Sequence, residues 1–354
     1  MTRKIIPIFV PHRGCPHDCI FCNQKKITGV STDITSEKVR NIINEYLKTI
    51  KKDAHIEIAF FGGSFTAIDI NIQESLLSVA KEYIDKQIVK DIRLSTRPDC
   101  IDENILNMLK KNGVTIIELG VQSLSEDVLD ESLRGHTSKD VIKSSQLIKQ
   151  WGFKLGLQMM VGLPKDTQEK CIYTAKEFIK LKPDFVRIYP TLIVKDTGLE
   201  KLYKEGRYTP FDMEKTIDIV KKLLVLFYTN NINVIRVGLQ TTENISLGKE
   251  ILNGPYHPAL RELVESRLYR DYIEHLINRY DLKDNILIYT DKTNISKIIG
   301  NKKENVIYIY DKYKIKIKTK EDLLESSIKI ETGKKSITTT LKNIYKDLYY
   351  IYNL

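Results

Sequence analysis

Short apolar segments rich in β-branched residues alternate along the chain with stretches whose apolar residues recur every three or four positions. Six of these segments are predicted to be strands, over residues 5–10, 56–61, 92–96, 114–120, 154–160 and 185–189. Helical spacing fills each gap, and in the first gap the apolar positions are Val39, Ile42, Ile43, Tyr46, Leu47 and Ile50. Repeated strands of this buried character, each followed by a helix, predict a parallel sheet with helices outside it. Periodicity alone does not distinguish an open doubly wound sheet from part of a barrel.

The last part of the chain has a different pattern. An apolar run over residues 234–239 leads to a helix rich in Arg and Glu, predicted over residues 259–275. From residue 281 onward three short strands are predicted, over residues 286–289, 306–310 and 312–320. We therefore expect a core domain of residues 1–240, a helical extension of residues 241–280 and a small basic α+β domain of residues 281–354.

Lysine alternates with Tyr, Ile and Thr over residues 312–320. In a strand, side chains alternate between the two faces, so one face is predicted to carry Lys312, Lys314, Lys316, Lys318 and Lys320. Such a face protects an edge strand from pairing with other chains. Alternatively it contacts the phosphates of RNA. The pattern slightly favours the protected edge.

Charge and composition exclude few classes of protein. The 354 residues have a formal charge of +10, and the positive excess lies in the first 50 residues and after residue 281, which is a weak indication of an anionic partner such as RNA. No apolar stretch is long enough to span a membrane, and the run over residues 5–10 is broken by Pro7, unlike a signal peptide. Two isolated cysteines, Cys100 and Cys171, suit a reducing compartment. We expect a cytoplasmic protein.

Three cysteines fall within eight residues, directly after the first predicted strand. Cys15, Cys19 and Cys22 form a C-x3-C-x2-C pattern. A tight loop can direct three thiolates at one point, and a cube of four irons and four sulfurs has four corners, so three cysteines would leave one iron open to a small molecule. A Cys3His zinc site completed by His12 or His17 is the alternative that these residues allow.

The cysteine pattern, with Phe21 just before its last cysteine, resembles the cluster motif of the radical S-adenosylmethionine superfamily. The resemblance implies a 4Fe–4S cluster whose open iron binds S-adenosylmethionine, and a reduced cluster that cleaves this cofactor to a deoxyadenosyl radical. It also implies a partial (β/α)6 barrel, in agreement with the six predicted strands. The expected fold is therefore an α/β partial barrel with a helical extension and a small C-terminal α+β domain.

Further motifs follow the predicted strands at their carboxyl ends, which is where barrel enzymes have their active-site residues. They are FFGGSFT at 60–66, LSTRPD at 94–99, ELGVQS at 118–123, RGHT at 134–137, QMMVGLP at 158–164 and RIYPTL at 187–192. Together they resemble the catalytic subunit of the Elongator complex and its bacterial and archaeal relatives. More distantly, they are similar to oxygen-independent coproporphyrinogen oxidase.

The resemblance implies a set of contacts to S-adenosylmethionine. The implied residues are Gly62, Gly63, Ser64, Ser95, Gln122 and Arg134. Paired glycines let backbone approach a ligand closely, and a guanidinium suits a carboxylate. Ser95 stands where these relatives usually carry Glu, so a contact made by that carboxylate would be lost or rerouted. Glu118, in a barrel strand, must find a partner or shift its pKa.

The resemblance favours a radical S-adenosylmethionine enzyme that modifies RNA, with tRNA as its substrate and reduced flavodoxin or ferredoxin as its electron donor. Elongator catalytic subunits continue into an acetyltransferase-like domain, and the residues after the match are too few for one. We therefore expect that this chain alone does not complete the standard Elongator reaction. Two alternatives stay open: a radical enzyme acting on a small molecule such as a tetrapyrrole, and a non-catalytic, zinc-stapled RNA-binding protein.

Overall fold

The structure is a computed structural model that describes residues 2–10, 17–23, 34–51, 53–239, 248–322 and 327–354. Within it the chain forms two compact units. The first consists of Met1–Phe211 and Gln240–Pro255, and the second of Asp212–Leu239 and Tyr256–Leu354. No helix among the described residues is long and apolar enough to cross a membrane.

The first unit alternates strands and helices as the apolar pattern predicts. Its main strands are β1 (Arg3–Val10), β2 (His55–Gly62), β3 (Asp91–Thr96), β4 (Val114–Gln122), β5 (Lys154–Val161) and β6 (Phe185–Pro190). Its helices are α1 (Ser36–Leu47), α2 (Ile70–Asp85), α3 (Glu103–Lys111), α4 (Glu126–Glu131), α5 (Ser138–Gln150), α6 (Gln168–Leu181) and α7 (Gly198–Lys204). Two short strands, β7 (Ile193–Val194) and β9 (Ile251–Asn253), pair antiparallel.

Strands β1 to β6 lie side by side in chain order, and each neighbouring pair is parallel. All six predicted strands are thus confirmed. Parallel strands bring their carboxyl ends to one edge, so every motif identified above lies at the same rim.

The sheet is curved into part of a barrel. Strands β3 and β6 are three positions apart, which is about 14 Å in a flat sheet. The guanidinium carbon of Arg93 on β3 nevertheless lies 5.0 Å from the ring centre of Phe185 on β6. Side chains therefore meet across a concave face, and the predicted partial α/β barrel is confirmed.

The second unit contains a small mixed sheet packed against helices. Its elements are α8 (Met213–Thr229), β8 (Asn233–Val237), α9 (Leu260–Tyr280), β10 (Ile286–Thr290), α10 (Lys292–Ile299), α11 (Glu304–Tyr313), β11 (Ile317–Glu321), β12 (Ser327–Thr332), β13 (Lys335–Thr340) and α12 (Leu341–Ile351). The sheet has the order β11-β10-β12-β13, with β10 and β11 parallel and the other pairs antiparallel.

Two sequence predictions for this unit are wrong. Residues 306–310 belong to helix α11 and not to a strand. The lysine-alternating segment is a strand only from Ile317, because Lys312 lies in the last turn of α11 and Lys314 ends that helix in the left-handed conformation. The five lysines therefore do not share one strand face. Lys318 and Lys320 lie on β11 at the edge of the sheet.

Candidate cofactor site

The loop after β1 contributes two of the three predicted cluster ligands. Cys19 is buried and Cys22 is half-buried, and the amide of Cys22 donates to the carbonyl of Cys19 at 2.9 Å. Cys15, the third predicted ligand, lies outside the described residues, as does His12. The described segment between Cys19 and Cys22 therefore makes a tight turn.

Ile20 in this turn is bound by main-chain hydrogen bonds on both sides. Its amide donates to the carbonyl of Ser132 at 3.2 Å, and its carbonyl accepts from the amide of Leu199 at 2.7 Å. A Cβ at Gly198 would lie 2.8 Å from the Ile20 side chain. The turn is therefore packed against the segment before α5 and the start of α7.

Arg134 reaches this turn from the segment between α4 and α5. Its Nη1 donates to the sulfur of Cys19 at 3.0 Å, and its Nη2 donates to the carbonyl of Gly120. The guanidinium also lies 5.9 Å from the ring centre of Phe21. The structure thus brings one predicted cofactor residue into direct contact with a predicted cluster ligand.

The glycine motif at the end of β2 lies next to the start of the cysteine loop. Gly62 has a φ of +108°, and a Cβ there would lie 2.5 Å from the carbonyl oxygen of Val10. The amide of Gly63 donates to the same oxygen at 3.1 Å, and Ser64 is buried. Only glycine fits at position 62, and it leaves the backbone of this turn uncovered by side chains.

Gln122 and Ser95 occupy the ends of the next two strands. Gln122 is buried with a φ of +72°, at a register shift between β4 and β5, and its Oε1 lies 3.5 Å from Nε2 of Gln158. A positive φ in a residue other than Gly or Asn is uncommon and is typical of functional turns. Ser95 is half-buried on β3, opposite Glu118 in the strand register.

The zinc site that the sequence allows would combine the three cysteines with His12 or His17, and of these residues the structure describes His17, Cys19 and Cys22. Tetrahedral zinc holds its nitrogen and sulfur ligands within about 4 Å of one another. In the described part of the chain, the donor atoms of His17, Cys19 and Cys22 do not form a set lying within 4.8 Å of one another. The imidazole of His17 instead lies 3.9 Å from the carboxylate of Asp99.

One group of potential metal ligands does converge, at the opposite end of the barrel. His55, Glu57 and Asp91 lie at the amino ends of β2 and β3. The carboxylate of Glu57 also meets the guanidinium groups of Arg3 and Arg93, the latter at 3.0 Å. The two cations already compensate this carboxylate, so the group serves as an ion-pair network.

That network continues through the barrel interior and includes residues that the sequence alone did not single out. Arg93 donates to Glu118 at 2.8 Å, and Arg187 donates to the other oxygen of Glu118 at 2.5 Å. Glu57, Arg93 and Glu118 are almost completely buried. The buried carboxylate of Glu118 is therefore paired with two arginines, in agreement with the expectation that it needs a partner. Charged residues at alternate positions within apolar strands are the signal that points to such an interior network.

Arg97 is the other site residue that was missed. It is buried, and its guanidinium forms a forked pair with Asp99 at 2.9 and 3.1 Å while also donating to the carbonyl of Arg134. Its Nη1 lies 3.9 Å from the sulfur of Cys19. The neighbouring His136 is buried, and burial, followed by the charges of Arg134 and Arg97, lowers its pKa to about 3.

Two family models match most of the site-bearing part of the chain. The Radical SAM superfamily model matches residues 9–178, and the Radical_SAM C-terminal domain model matches residues 183–270. With the partial barrel and the cysteine loop, these matches define the class: the chain belongs to the radical SAM superfamily of enzymes.

Within that superfamily the chain is similar to Elongator proteins. It is 30% identical over 257 residues to the tRNA uridine(34) acetyltransferase of Methanocaldococcus jannaschii, covering 61% of this chain and 47% of the relative. It is 31% identical over 263 residues to Elongator complex protein 3 of Dictyostelium discoideum, covering 61% and 46%. The chain therefore spans about half the length of these curated relatives.

The fold also resembles a solved Elongator structure. The archaeal Methanocaldococcus infernus Elp3 with an N-terminal deletion aligns with a TM-score of 0.59 and 21% identity, over 97% of this chain and 76% of that one. At this identity the similarity establishes the fold.

Proposed function

We propose that this chain holds a 4Fe–4S cluster through Cys15, Cys19 and Cys22 and uses S-adenosylmethionine to modify tRNA. Gly62, Gly63, Ser64, Ser95 and Gln122 would surround S-adenosylmethionine, and Arg134 would lie at the boundary between cluster and cofactor. The contact of the Arg134 guanidinium with the sulfur of Cys19 carries the proposal, because it joins the cysteine loop to the rim where the other motifs lie.

When bound, the reduced cluster supplies the electron that cleaves S-adenosylmethionine to a radical. The chain's own residues position the groups for this reaction. Gly62, which has a φ of +108° and no side chain, would let the backbone of this turn approach the cofactor closely. Reduced flavodoxin or ferredoxin would supply the electron.

The tRNA substrate is supported by the relatives, which are named for tRNA uridine acetylation and for the Elongator complex. The concave face of the barrel also suits a planar base. Phe9 and Phe61 lie with ring centres 6.5 Å apart, and the guanidinium of Arg187 lies 5.7 Å from the ring of Phe61. Aromatic rings and guanidinium planes are the groups on which unstacked RNA bases pack.

The cluster assignment is tested by removing single thiols. We expect Cys15→Ala, Cys19→Ala and Cys22→Ala each to lose iron after anaerobic reconstitution and to stop forming deoxyadenosine from S-adenosylmethionine, because two thiolates do not hold the cube. Cys100→Ala, outside the motif, is the matched control and should keep both properties. Iron content and mass spectrometry of deoxyadenosine are the measurements. A single motif variant that keeps full iron content and activity would falsify the assignment.

The substrate is tested by mass spectrometry of nucleosides from cellular tRNA. We expect a strain without this protein to lack one modified nucleoside that the parent contains, and the wild-type chain but not Cys19→Ala to restore it. Identical nucleoside profiles in the two strains, together with an active enzyme in vitro, would contradict the tRNA substrate and favour a small molecule.

A further inference from the structure

We propose that the open face of the small sheet in the second unit binds single-stranded RNA. The ring of Tyr289 stacks on a base, and Lys316, Lys318 and Lys320 contact phosphates. The choice of RNA rests on the proposed function, because tRNA is the proposed substrate. The surface itself needs neither the cluster nor S-adenosylmethionine, so it is tested independently of them.

The sheet has one packed face and one open face. Along β10 every second residue of Ile286–Thr290 is buried, whereas Leu287 and Tyr289 are half-buried. Side chains of a strand alternate between its two faces, so these two side chains lie opposite the packed face. In the strand register, Tyr289 is flanked by Lys320 of β11 and by Lys329 of β12. An aromatic ring on the central strand therefore stands between cations on both neighbouring strands.

Three lysines form a row at the outer edge of this face. Lys316, Lys318 and Lys320 are exposed, and they alternate with Ile315 and Ile317, which are buried. Alternate residues of a strand lie about 7 Å apart. The first lysine is aligned with the sheet, because its carbonyl accepts from the first amide of β10 at 2.9 Å. None of the three forms an ion pair with a described residue, so their ammonium groups are available to a bound anion.

The ring of Tyr289 is fixed in the middle of the open face. Its hydroxyl donates to the carboxylate of Glu331, and this hydrogen bond raises the pKa of Tyr289. The ammonium groups of Lys320 and Lys329 lie 5.7 and 5.4 Å from the ring centre. Such contacts between a cation and a ring are weak at exposed sites. A nucleotide can therefore replace one of them, with its base on the ring and its phosphate on the ammonium group.

The charge of the open face suits a polyanion. Glu331 pairs with Lys329 at 2.7 Å, and Asp322 is a second carboxylate near the ring. The four lysines of the face outnumber these two carboxylates. A single strand of nucleic acid combines regularly spaced phosphates with flat bases that stack on aromatic rings. It therefore matches both the row of lysines and the ring beside it.

The base contact is tested by fluorescence anisotropy with the full-length protein and a short labelled single-stranded RNA. We expect Tyr289→Ala to weaken binding about 5- to 150-fold, the range that loss of one contact between base and ring gives. Tyr289→Phe is the matched control. It keeps the ring and should bind within about threefold of the wild type. Equal affinities of the wild type and Tyr289→Ala would overturn the proposal.

The phosphate contacts are tested by the dependence of the affinity on salt concentration. Each phosphate contact to a single strand contributes about −0.7 to the slope of log K against log salt, so Lys318→Gln combined with Lys320→Gln should flatten this slope by about 1.4. Lys342→Gln with Lys346→Gln removes the same charge from exposed positions on α12 and should leave the slope unchanged. Equal slopes in the two double variants would overturn the proposal. Because these substitutions leave the packed face intact, they decide the matter if Tyr289→Ala does not fold.

Two further outcomes would assign the lysines another role. If they only protect the edge strand β11 from pairing with other chains, the Lys318→Gln, Lys320→Gln variant should self-associate in size-exclusion chromatography while its RNA affinity stays unchanged. A DNA strand of the same sequence that binds more tightly than the RNA would show that RNA is not the preferred partner. Either result overturns the proposal.

The failure of this surface and the failure of the proposed function are distinguishable. Loss of RNA affinity in Tyr289→Ala supports the surface even if tRNA nucleosides are identical with and without the protein, which would contradict tRNA modification alone. Unchanged RNA affinity in Tyr289→Ala, together with a tRNA nucleoside that depends on the protein, overturns the surface alone.

Discussion

His136 shows how the charges near Cys19 act on a single side chain. The imidazole is 3% exposed, and its pKa is lowered to about 3 first by burial and then by the charges of Arg134 and Arg97. The ring is therefore neutral at every physiological pH, which excludes it as a cation that binds the cofactor carboxylate.

This shift predicts a pH dependence of stability. The pKa of histidine in an unfolded chain is about 6.5, so the folded-state pKa is depressed. The corresponding contribution is present above pH 6.5 and is lost as the pH falls toward 3. Between pH 7.5 and 5.5 we expect it to lower the free energy of unfolding by about 1 to 2 kcal/mol. Denaturant unfolding of the wild type and of His136→Gln measures it, and equal pH dependence in the two proteins would disprove it.

The pairing of the buried charged residues in the barrel could not be predicted from the sequence. The sequence shows that Glu118 needs a partner, but it does not show which one. Its partners Arg93 and Arg187 lie 25 residues before it and 69 residues after it. Arg93 lies on the neighbouring strand β3 and Arg187 lies on β6, so the charged positions mark the interior in the sequence without showing which of them meet.

At the scale of elements, the parallel strands were predictable and one helix was not. The six strands are dense in β-branched residues and bounded by polar loops, so their pattern has one interpretation. Helix α11 contains the run Val306-Ile307-Tyr308-Ile309-Tyr310, whose residue types favour strands. Asn305 anchors the start of this helix through hydrogen bonds to Ser266, Lys297 and Ile298. Tertiary contacts therefore override the local preference.

The turn after β2 allows a matched test at the scale of one element. We expect Gly62→Ala to destabilise the protein by about 1 to 3 kcal/mol and to reduce binding of S-adenosylmethionine, since both its φ and the nearby Val10 oxygen oppose a side chain. Gly206→Ala is the control, because Gly206 also has a positive φ but has no atom within 4 Å of its Cβ position. Thermal unfolding and cofactor titration are the measurements. Equal effects of both substitutions would show that the close approach is unimportant.

At the scale of the whole molecule, the second unit is assembled from two separated parts of the chain. Helix α8 comes from the first part and packs against α9 and α12 from the second part. The rings of Tyr228 and Tyr345 lie with centres 4.8 Å apart. No local pattern predicts this pairing, because the two helices are separated by more than 100 residues.

This shared core predicts coupling between distant segments. Leu348 on α12 is completely buried, and we expect Leu348→Ala to cost about 2 to 5 kcal/mol. Amide hydrogen exchange should then increase within Met213–Thr229 as well as within α12. Lys346→Ala, an exposed position on the same helix, should leave exchange unchanged. Faster exchange confined to α12 would argue against a common core.

The two main-chain bonds to Ile20 have a consequence for the protein in air. If the turn holds the proposed cluster, oxidative loss of the cluster would free the chain at Ser132 and Leu199 together, because both hydrogen bonds to Ile20 break when the turn unfolds. Proteases should then cut near both places in aerated protein, and neither place should be cut while the iron is retained.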